Sequence, residues 1–174
     1  NVLVTSGATL AVINTAATNI KATAADLGGT LDADGSVFTV YAYYSTNSAN
    51  SNATTWLADG DAVNVEIGTY TNVSDEPLTA SVAGLTRGVT YTYTMMAASD
   101  VTNLWATPTA TFTADGTPPE PDAMTFAIEP AAQDETTVLM VASTALDALN
   151  NPVQYYFENT NNSDNSGWVL STVW

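Results

Sequence analysis

The stretch LTRGVTYTYTMMAAS, residues 85–99, carries the main information on the fold of this chain. Tyr91 and Tyr93 alternate with threonines, and such alternation is typical of a β-strand with one buried face. Leu85 and Gly88 precede the strand at a turn. The pattern therefore predicts a half-buried strand of an all-β domain, and the chain contains it only once.

Further short strands with turn residues between them surround this stretch over residues 14–114, as expected for an all-β sandwich. The segment SVFTVYAYYS, 36–45, carries bulky residues on both faces. Pro108 lies within the last strand pattern and favours an edge strand, because proline has no N–H for a sheet. The polar segment 45–60 is expected to be a loop whose Trp56 packs back on the sheet edge.

Proline marks a boundary near the middle of the chain. DGTPPEPD, 115–122, has three prolines in eight residues, which predicts a short, stiff linker. The domains expected from the sequence are a sandwich over 14–114 and a partial second module over 123–174. Residues 1–13 are expected to be a linker or the last strand of a preceding domain, and the alternative is a strand donated to another subunit.

The charge of the chain restricts its partners. Charged residues make up 11% of the sequence, against roughly 25% in typical soluble domains, and the net charge is −16. With Lys21 and Arg87 as the only basic residues, binding to nucleic acid or to an anionic membrane surface is disfavoured. No apolar run reaches the ~20 residues of a membrane span. Such acidity suits a cell exterior with screening salt, so we expect an extracellular or cell-surface location.

The stretch 85–99 resembles the fibronectin type III-like and related immunoglobulin-like modules that occur in tandem in secreted and surface proteins of bacteria. The resemblance rests on a Leu, a turn Gly and a Tyr-x-Tyr, and it extends over about residues 14–174. It implies structural roles for Leu85, Gly88, Tyr91 and Tyr93. Tyr91 would be the corner tyrosine, whose hydroxyl bonds backbone a few residues upstream, near Leu85.

The second module departs from this family pattern. A sandwich of this type needs seven strands and ~100 residues, whereas the segment after the linker is shorter and has no second Leu–turn–Gly–Tyr-x-Tyr. Three explanations stay open. The chain is a fragment of a longer protein, another subunit completes the module and thereby builds filaments, or the two halves share one core.

Catalytic chemistry is poorly supported by the residue types. The absence of His and Cys excludes nucleophile systems built on them and zinc sites of imidazole or thiolate. The close carboxylate pairs Asp59/Asp61 and Asp75/Glu76 occur in turn-rich segments, where Asp serves backbone geometry. We therefore expect that the protein is not an enzyme and needs no cofactor.

Calcium is the one metal that the sequence brings into consideration. DADGS contains Asp32 and Asp34 at a spacing that opens calcium loops, since Ca²⁺ takes oxygen ligands. The distal Glu of an EF-hand is missing. A plain hairpin turn is the favoured interpretation of this segment.

Two surface features remain as candidates for binding or modification. An aromatic platform for stacking on sugars could be formed by Tyr41, Tyr43, Trp56 and Trp105. Glycosylation sequons begin at Asn52, Asn72 and Asn161. Packing within the sheet is the favoured interpretation of the aromatic residues.

The function expected from these observations is that of an extracellular structural module in a bacterial surface protein. It would serve as a spacer, an adhesin stalk or a filament subunit assembled by strand exchange. Its partners would be other copies of itself or further domains of the same chain. The alternative is a carbohydrate-binding accessory module of a secreted enzyme, with polysaccharide as its partner.

Overall fold

The chain folds into two compact units, Asn1–Gly116 (unit 1) and Thr117–Trp174 (unit 2), whose boundary falls inside the proline-rich segment 115–122. The computed structural model describes residues 10–33, 35–121, 124–161 and 163–174. Both units are built from antiparallel strands, so the predicted all-β class is confirmed. Within the described residues, no helix combines the length and hydropathy needed to span a lipid bilayer.

Unit 1 contains eight strands and one short helix. They are β1 (Ala11–Thr18), β2 (Ala24–Asp32), β3 (Val37–Ser45), α1 (Ala53–Ala58), β4 (Val63–Thr71), β5 (Glu76–Ala83), β6 (Thr90–Ala98), β7 (Asn103–Trp105) and β8 (Ala110–Thr113). One sheet has the order β1-β2-β5, and the other has the order β4-β3-β6-β7, with β8 also paired to β6. Because β7 and β8 pair with different halves of β6, they form one interrupted edge strand, and Pro108 lies in the interruption.

The core of unit 1 lies between these two sheets. Strand β5 turns Leu78, Ala80 and Val82 inward, and each is less than 5% exposed. From the other sheet, β3 contributes Phe38 and Val40. Successive side chains of a strand point to opposite faces of its sheet, and two facing sheets hide their inner apolar sets from water. Unit 1 is therefore a β-sandwich.

Strand β6 is buried on both faces, whereas the sequence predicts burial on one. Thr92 and Thr94, on the face opposite Tyr93, are 4% and 1% exposed. The Thr94 hydroxyl donates a hydrogen bond to the Ala106 carbonyl at 2.9 Å, so this buried hydroxyl has a partner within the protein. The half-buried assignment is wrong because large side chains of the neighbouring strands shield this face: Tyr43 of β3 lies opposite Thr94, and Trp105 of β7 lies opposite Met96.

Strand β1 begins earlier than the predicted boundary of the sandwich. Ala11, Val12 and Ile13 pair with β2, so they belong to unit 1 and not to a separate N-terminal segment. Residues 1–9 of the predicted segment lie outside the described residues. Gly28 of β2 faces the irregular part of β1, where a Cβ would stand 2.9 Å from the Ala16 carbonyl oxygen. Only glycine leaves room for this approach.

Unit 2 consists of two hairpins. Its strands are β9 (Phe126–Ala132), β10 (Val138–Ala142), β11 (Tyr155–Asn159) and β12 (Asp164–Val169). Strand β9 pairs with β10, and β11 pairs with β12. Residues 172–174 pair with the edge of β10, through hydrogen bonds between Met140 and Trp174 in both directions, at 2.9 and 3.1 Å.

This order repeats the first half of unit 1. There, β2 lies between β1 and β5, while β3 and β4 form the hairpin that follows. In unit 2, β10 lies between β9 and residues 172–174, and β11 and β12 form the next hairpin. Among the described residues, unit 2 has no counterpart of β6, β7 or β8. The expectation of an incomplete second sandwich is thus confirmed.

Part of the predicted linker belongs to unit 2. Glu120 forms a bridge with Leu146, with hydrogen bonds of 2.9 and 2.8 Å between their backbones. This pairing holds one residue of the proline-rich segment against the β10–β11 connection.

Candidate functional site

The corner of unit 1 is built from the residues that the resemblance singles out. The backbone N–H of Thr86 donates to the Tyr91 hydroxyl at 2.8 Å, so the hydroxyl binds backbone five residues upstream, next to Leu85. The Tyr91 ring stacks on Phe112, with centroids 5.6 Å apart. This hydrogen bond fixes the β5–β6 connection at the end of the core. Tyr91 therefore has a structural role.

Leu85 and Gly88 complete the corner. Leu85 is 5% exposed, and its N–H donates to the Thr23 carbonyl at 3.1 Å. Gly88 adopts a φ of 72°, which is costly for residues with a Cβ, and its N–H donates to the Ala114 carbonyl. Both residues therefore tie the corner to the neighbouring chain segments.

Tyr93 joins the two sheets. Its hydroxyl donates a hydrogen bond to the carbonyl of Thr15 on β1. The ring is fully buried, and desolvation raises the pKa of Tyr93 above its ordinary value. Tyr93 is therefore a neutral donor that anchors β1 against β6.

Asn14, which sequence reasoning missed, makes a second connection between the sheets. Its Oδ1 accepts the N–H of Met95 at 2.8 Å, and its Nδ2 donates to the Pro108 carbonyl at 2.8 Å and to the Thr94 hydroxyl at 3.3 Å. Asn14 thus supplies backbone partners where β7 gives way to β8. One polar residue in an apolar strand pattern is the only sequence signal for it.

Three of the four predicted sugar-stacking residues lie together. The Tyr43 ring is 4.9 Å from the Trp105 ring and 6.4 Å from the Trp56 ring, in tilted and edge-on geometry. Trp56 is 1% exposed, so its faces are covered and it cannot stack on a sugar. Tyr43 and Trp105 stay half-buried. Tyr41 lies beside Glu66; desolvation, and then the Glu66 carboxylate, raise the pKa of Tyr41.

The segment predicted as a loop around Trp56 contains helix α1. Asn52 caps this helix: its Oδ1 accepts the N–H groups of Thr54 and Thr55 at 3.0 and 3.2 Å. Trp56 enters the protein from this helix instead of from a loop at the sheet edge. Its Nε1 and Asn50 Oδ1 are buried and have no partner among the described residues.

The carboxylates singled out from the sequence serve turns. Asp59 accepts Asn50 Nδ2 at 2.6 Å and the Asp61 N–H at 3.0 Å. Hydrogen bonds from Ser45, then Asn50, then the Asp61 backbone lower the pKa of Asp59. Such an acid is held ionised, whereas a general acid needs a raised pKa.

Of the two candidate calcium residues, only Asp32 lies in the part of the chain that the structure describes. Asp32 Oδ1 accepts the Ser74 hydroxyl at 3.1 Å and the N–H of Asp75 at 2.9 Å. Asp34 lies outside the described residues. Over the described part of the chain, no three Asp or Glu side chains converge in a way that could hold a metal ion. Asp32, the last residue of β2, thus holds the turn that precedes β5 through Ser74 and Asp75.

The three sequon asparagines are all exposed. The side-chain oxygen of Asn52 caps helix α1. Asn72 follows β4 with a φ of 53°, and Asn161 lies in the β11–β12 turn, where its N–H donates to Asn159 Oδ1 at 3.0 Å.

Unit 2 contains an apolar groove that sequence reasoning did not locate. Its volume is about 460 Å³. The groove is lined by side chains of all four strands and by the preceding prolines, among them Pro119, Phe126, Met140, Tyr155, Phe157 and Trp168. The Tyr155 hydroxyl accepts the N–H of Ala145 at 3.0 Å, which fixes one wall of the groove.

Comparison with known proteins gives weak likenesses. No protein-family model matches the chain, and no curated protein matches it. The structure of a shorter form of the sensor domain of the anti-sigma factor RsgI4 of Pseudobacteroides cellulosolvens is 15% identical and has a TM-score of 0.44; the match covers 62% of this chain and 96% of that one. The solution structure of the RsgI4 sensor domain has a TM-score of 0.42 at 15% identity, over 61% of this chain and 75% of that one.

A myokine structure has a TM-score of 0.40 at 12% identity, and the match covers 61% of this chain and 97% of that one. Likenesses of this degree assign no function to the chain.

Proposed function

We propose that this chain is an extracellular structural segment of a bacterial surface protein, in which tandem fibronectin type III-like sandwiches act as spacers. One observation carries the proposal: unit 2 repeats the strand order of the first half of unit 1. Modules in tandem extend a protein by repetition, since each folds around its own core.

The fibronectin type III-like assignment is supported by two further features of unit 1. Three strands face a second sheet of the order β4-β3-β6-β7, and the corner tyrosine Tyr91 binds backbone just before its own strand. The polar side chains also fit a structural role. Asp32 and Asp59 bind turns, and Asn14 joins two strands.

Immunogold microscopy of source cells tests this proposal. Antibodies raised against the chain should label intact cells, because a spacer of a surface protein is accessible from outside. Labelling that appears only after the cells are permeabilised would refute the extracellular role. Disrupted cells serve as the control for antibody reactivity.

The carbohydrate-binding alternative has its own test. If Tyr43 and Trp105 stack on sugars, the chain is retained on an insoluble polysaccharide and the variant Trp105→Ala is not, since stacking requires the ring. We expect no retention of either protein, because Trp56 is covered and the other two rings pack against each other. Retention lost on Trp105→Ala would favour the alternative.

A further inference from the structure

The outward face of the β11–β12 hairpin carries an exposed aromatic pair. Tyr156 lies directly opposite Trp168, and their ring centroids are 5.4 Å apart with the ring planes inclined by 48°. The adjacent pair in the register, Tyr155 and Val169, packs in the core of unit 2. Because side chains alternate between the two faces of a strand, the aromatic pair points away from that core. Trp168 is 69% exposed and Tyr156 is 44% exposed.

Unit 1 shows that this position stays open when a sandwich is complete. There, β4 is the counterpart of β12, and its residues Asn64 and Glu66 pair with outward-facing positions of β3. Both remain exposed, although β6, β7 and β8 are present. The exposure of Trp168 therefore does not depend on strands that unit 2 lacks. Both aromatic residues also line part of the apolar groove, but the contact between their rings lies on the outward face.

The chain between β11 and β12 supplies no cover for the aromatic pair. In unit 1, Trp56 of helix α1 packs against Tyr43 of β3, with ring centroids 6.4 Å apart, and α1 lies in the connection between β3 and β4. The corresponding connection in unit 2 consists of residues 160–163 only, which is too short for a helix with its cap.

A carboxylate lies on the same face as the two rings. Glu158 follows Tyr156 by two residues of β11, so both side chains point outward at a spacing of about 7 Å along the strand. Glu158 is exposed and lies opposite Asn165 of β12. The face thus combines two aromatic rings with one negative charge.

Rings and a carboxylate together are suited to an organic cation. The face of an aromatic ring attracts a cation, and tryptophan does so most strongly. A guanidinium fits best, because it stacks on a ring and also donates paired hydrogen bonds to a carboxylate. A quaternary ammonium group cannot donate such bonds, and a neutral sugar would make no use of the charge.

The charge of the chain indicates where this cation comes from. The sequence of unit 2 contains eight acidic residues and no basic ones, and the whole chain has a net charge of −16. Such a field attracts basic partners and repels acidic ones. A second copy, or a further module of the same composition, would be repelled, whereas a separate basic polypeptide is attracted.

We propose that Tyr156, Trp168 and Glu158 form a binding site for an arginine side chain of a separate basic polypeptide. This site gives the chain a binding role beyond that of a spacer and does not depend on it. The immunogold test concerns the location of the chain and does not involve the site, so the two proposals fail separately.

A synthetic peptide, GSRGSRGS, with blocked ends provides the probe. It is titrated into the full chain labelled with ¹⁵N, and binding is followed by NMR through the four tryptophan indole N–H signals and the backbone amides of β11. The signal that disappears in Trp168→Leu identifies Trp168, and it should shift saturably. A peptide with citrulline in place of arginine should not bind, because the cation is lost. A lysine peptide of equal charge should bind more weakly, since an ammonium lacks the planar fork.

Variants of the full chain locate the site. Trp168→Leu keeps an apolar side chain but removes the aromatic face, and it should weaken binding about two- to fivefold. Glu158→Gln should also weaken binding, whereas Asp100→Asn, which removes the same charge from an exposed bend of unit 1, should leave it unchanged. If Trp168→Leu disturbs the hairpin, the charge variants and the peptide series still decide.

Five results would overturn the proposal. Absence of a saturable shift of Trp168 would remove the site, and equal binding of the citrulline peptide would remove the cation. Equal binding of the lysine peptide, or equal weakening by Asp100→Asn, would show general attraction between charges. Displacement of the peptide by an equal concentration of tetramethylammonium would make a small ammonium ion the ligand. Self-association that is lost on Arg87→Gln would make another copy the occupant, since Arg87 is the only arginine of the chain.

Discussion

Replacing Asn14 by alanine tests the connection between the two sheets of unit 1. The substitution removes the oxygen that accepts the N–H of Met95 at 2.8 Å. Met95 is fully buried, so its N–H would be left without a partner, at a cost of about 1–3 kcal/mol. The carbonyl of Pro108 is exposed and can bind water instead, and the Thr94 hydroxyl keeps Ala106 as its acceptor.

We therefore expect Asn14→Ala to lower the free energy of unfolding of unit 1 by about 2 kcal/mol, the middle of that range. Hydrogen exchange in increasing urea, detected by mass spectrometry, reports on unit 1 and unit 2 through separate peptides. The control is Asn64→Ala, at an exposed position of β4, which should cost about 0.5 kcal/mol or less. Equal losses in the two variants would refute the role of Asn14.

Tyr91→Phe should cost about 1 kcal/mol in urea unfolding by removing the corner hydrogen bond, and a neutral result would contradict the corner assignment. Gly29→Ala should cost about 1–3 kcal/mol, because its Cβ would lie 2.8 Å from a backbone oxygen of β1, whereas Gly60→Ala, with open space around it, serves as the control in the same thermal melts. The hydrogen bond from Asn19 lowers the pKa of Asp26 below its ordinary 3.8. Asp26 therefore stabilises the fold above about pH 4, and this contribution is lost as the pH falls through the depressed pKa. Asp26→Asn should make unfolding less sensitive to acid in this range, and an unchanged pH profile would contradict the role of this carboxylate.

Much of unit 1 is predictable from the sequence, because inward-facing and outward-facing residues alternate along its strands. The inward positions Tyr91 and Tyr93 follow the period of two, and the corner follows from Leu85 and its turn. What local alternation cannot show is which strand lies in the middle of a sheet. The threonines of β6 therefore look like solvent-facing residues, although large side chains of the strands on either side shield them.

The candidate sites were less predictable, because they depend on contacts between distant residues. Asn14 meets Met95 across 81 positions of sequence, and no local pattern reports such a pair. The Asn and Ser residues around Trp56 predict a loop, yet Asn52 caps a short helix there. Local polarity indicates an interruption of the sheet but does not show which way the tryptophan points.

A near-copy of the corner motif shows how far local pattern determines the position of a strand. In LNNPVQYYF, Leu149, Val153, Tyr155 and Phe157 have the spacing of the Leu, Val and two Tyr residues of LTRGVTYTY. Yet the Tyr155 hydroxyl binds the N–H of Ala145, ten residues upstream, and β11 pairs with the next strand, as β3 does with β4.

The difference arises from pairing over longer distances. Strand β6 pairs with the edge of the β3–β4 hairpin, whereas β11 is itself the first strand of a hairpin. The motif therefore specifies an inward-facing aromatic strand without specifying its place in the sheet.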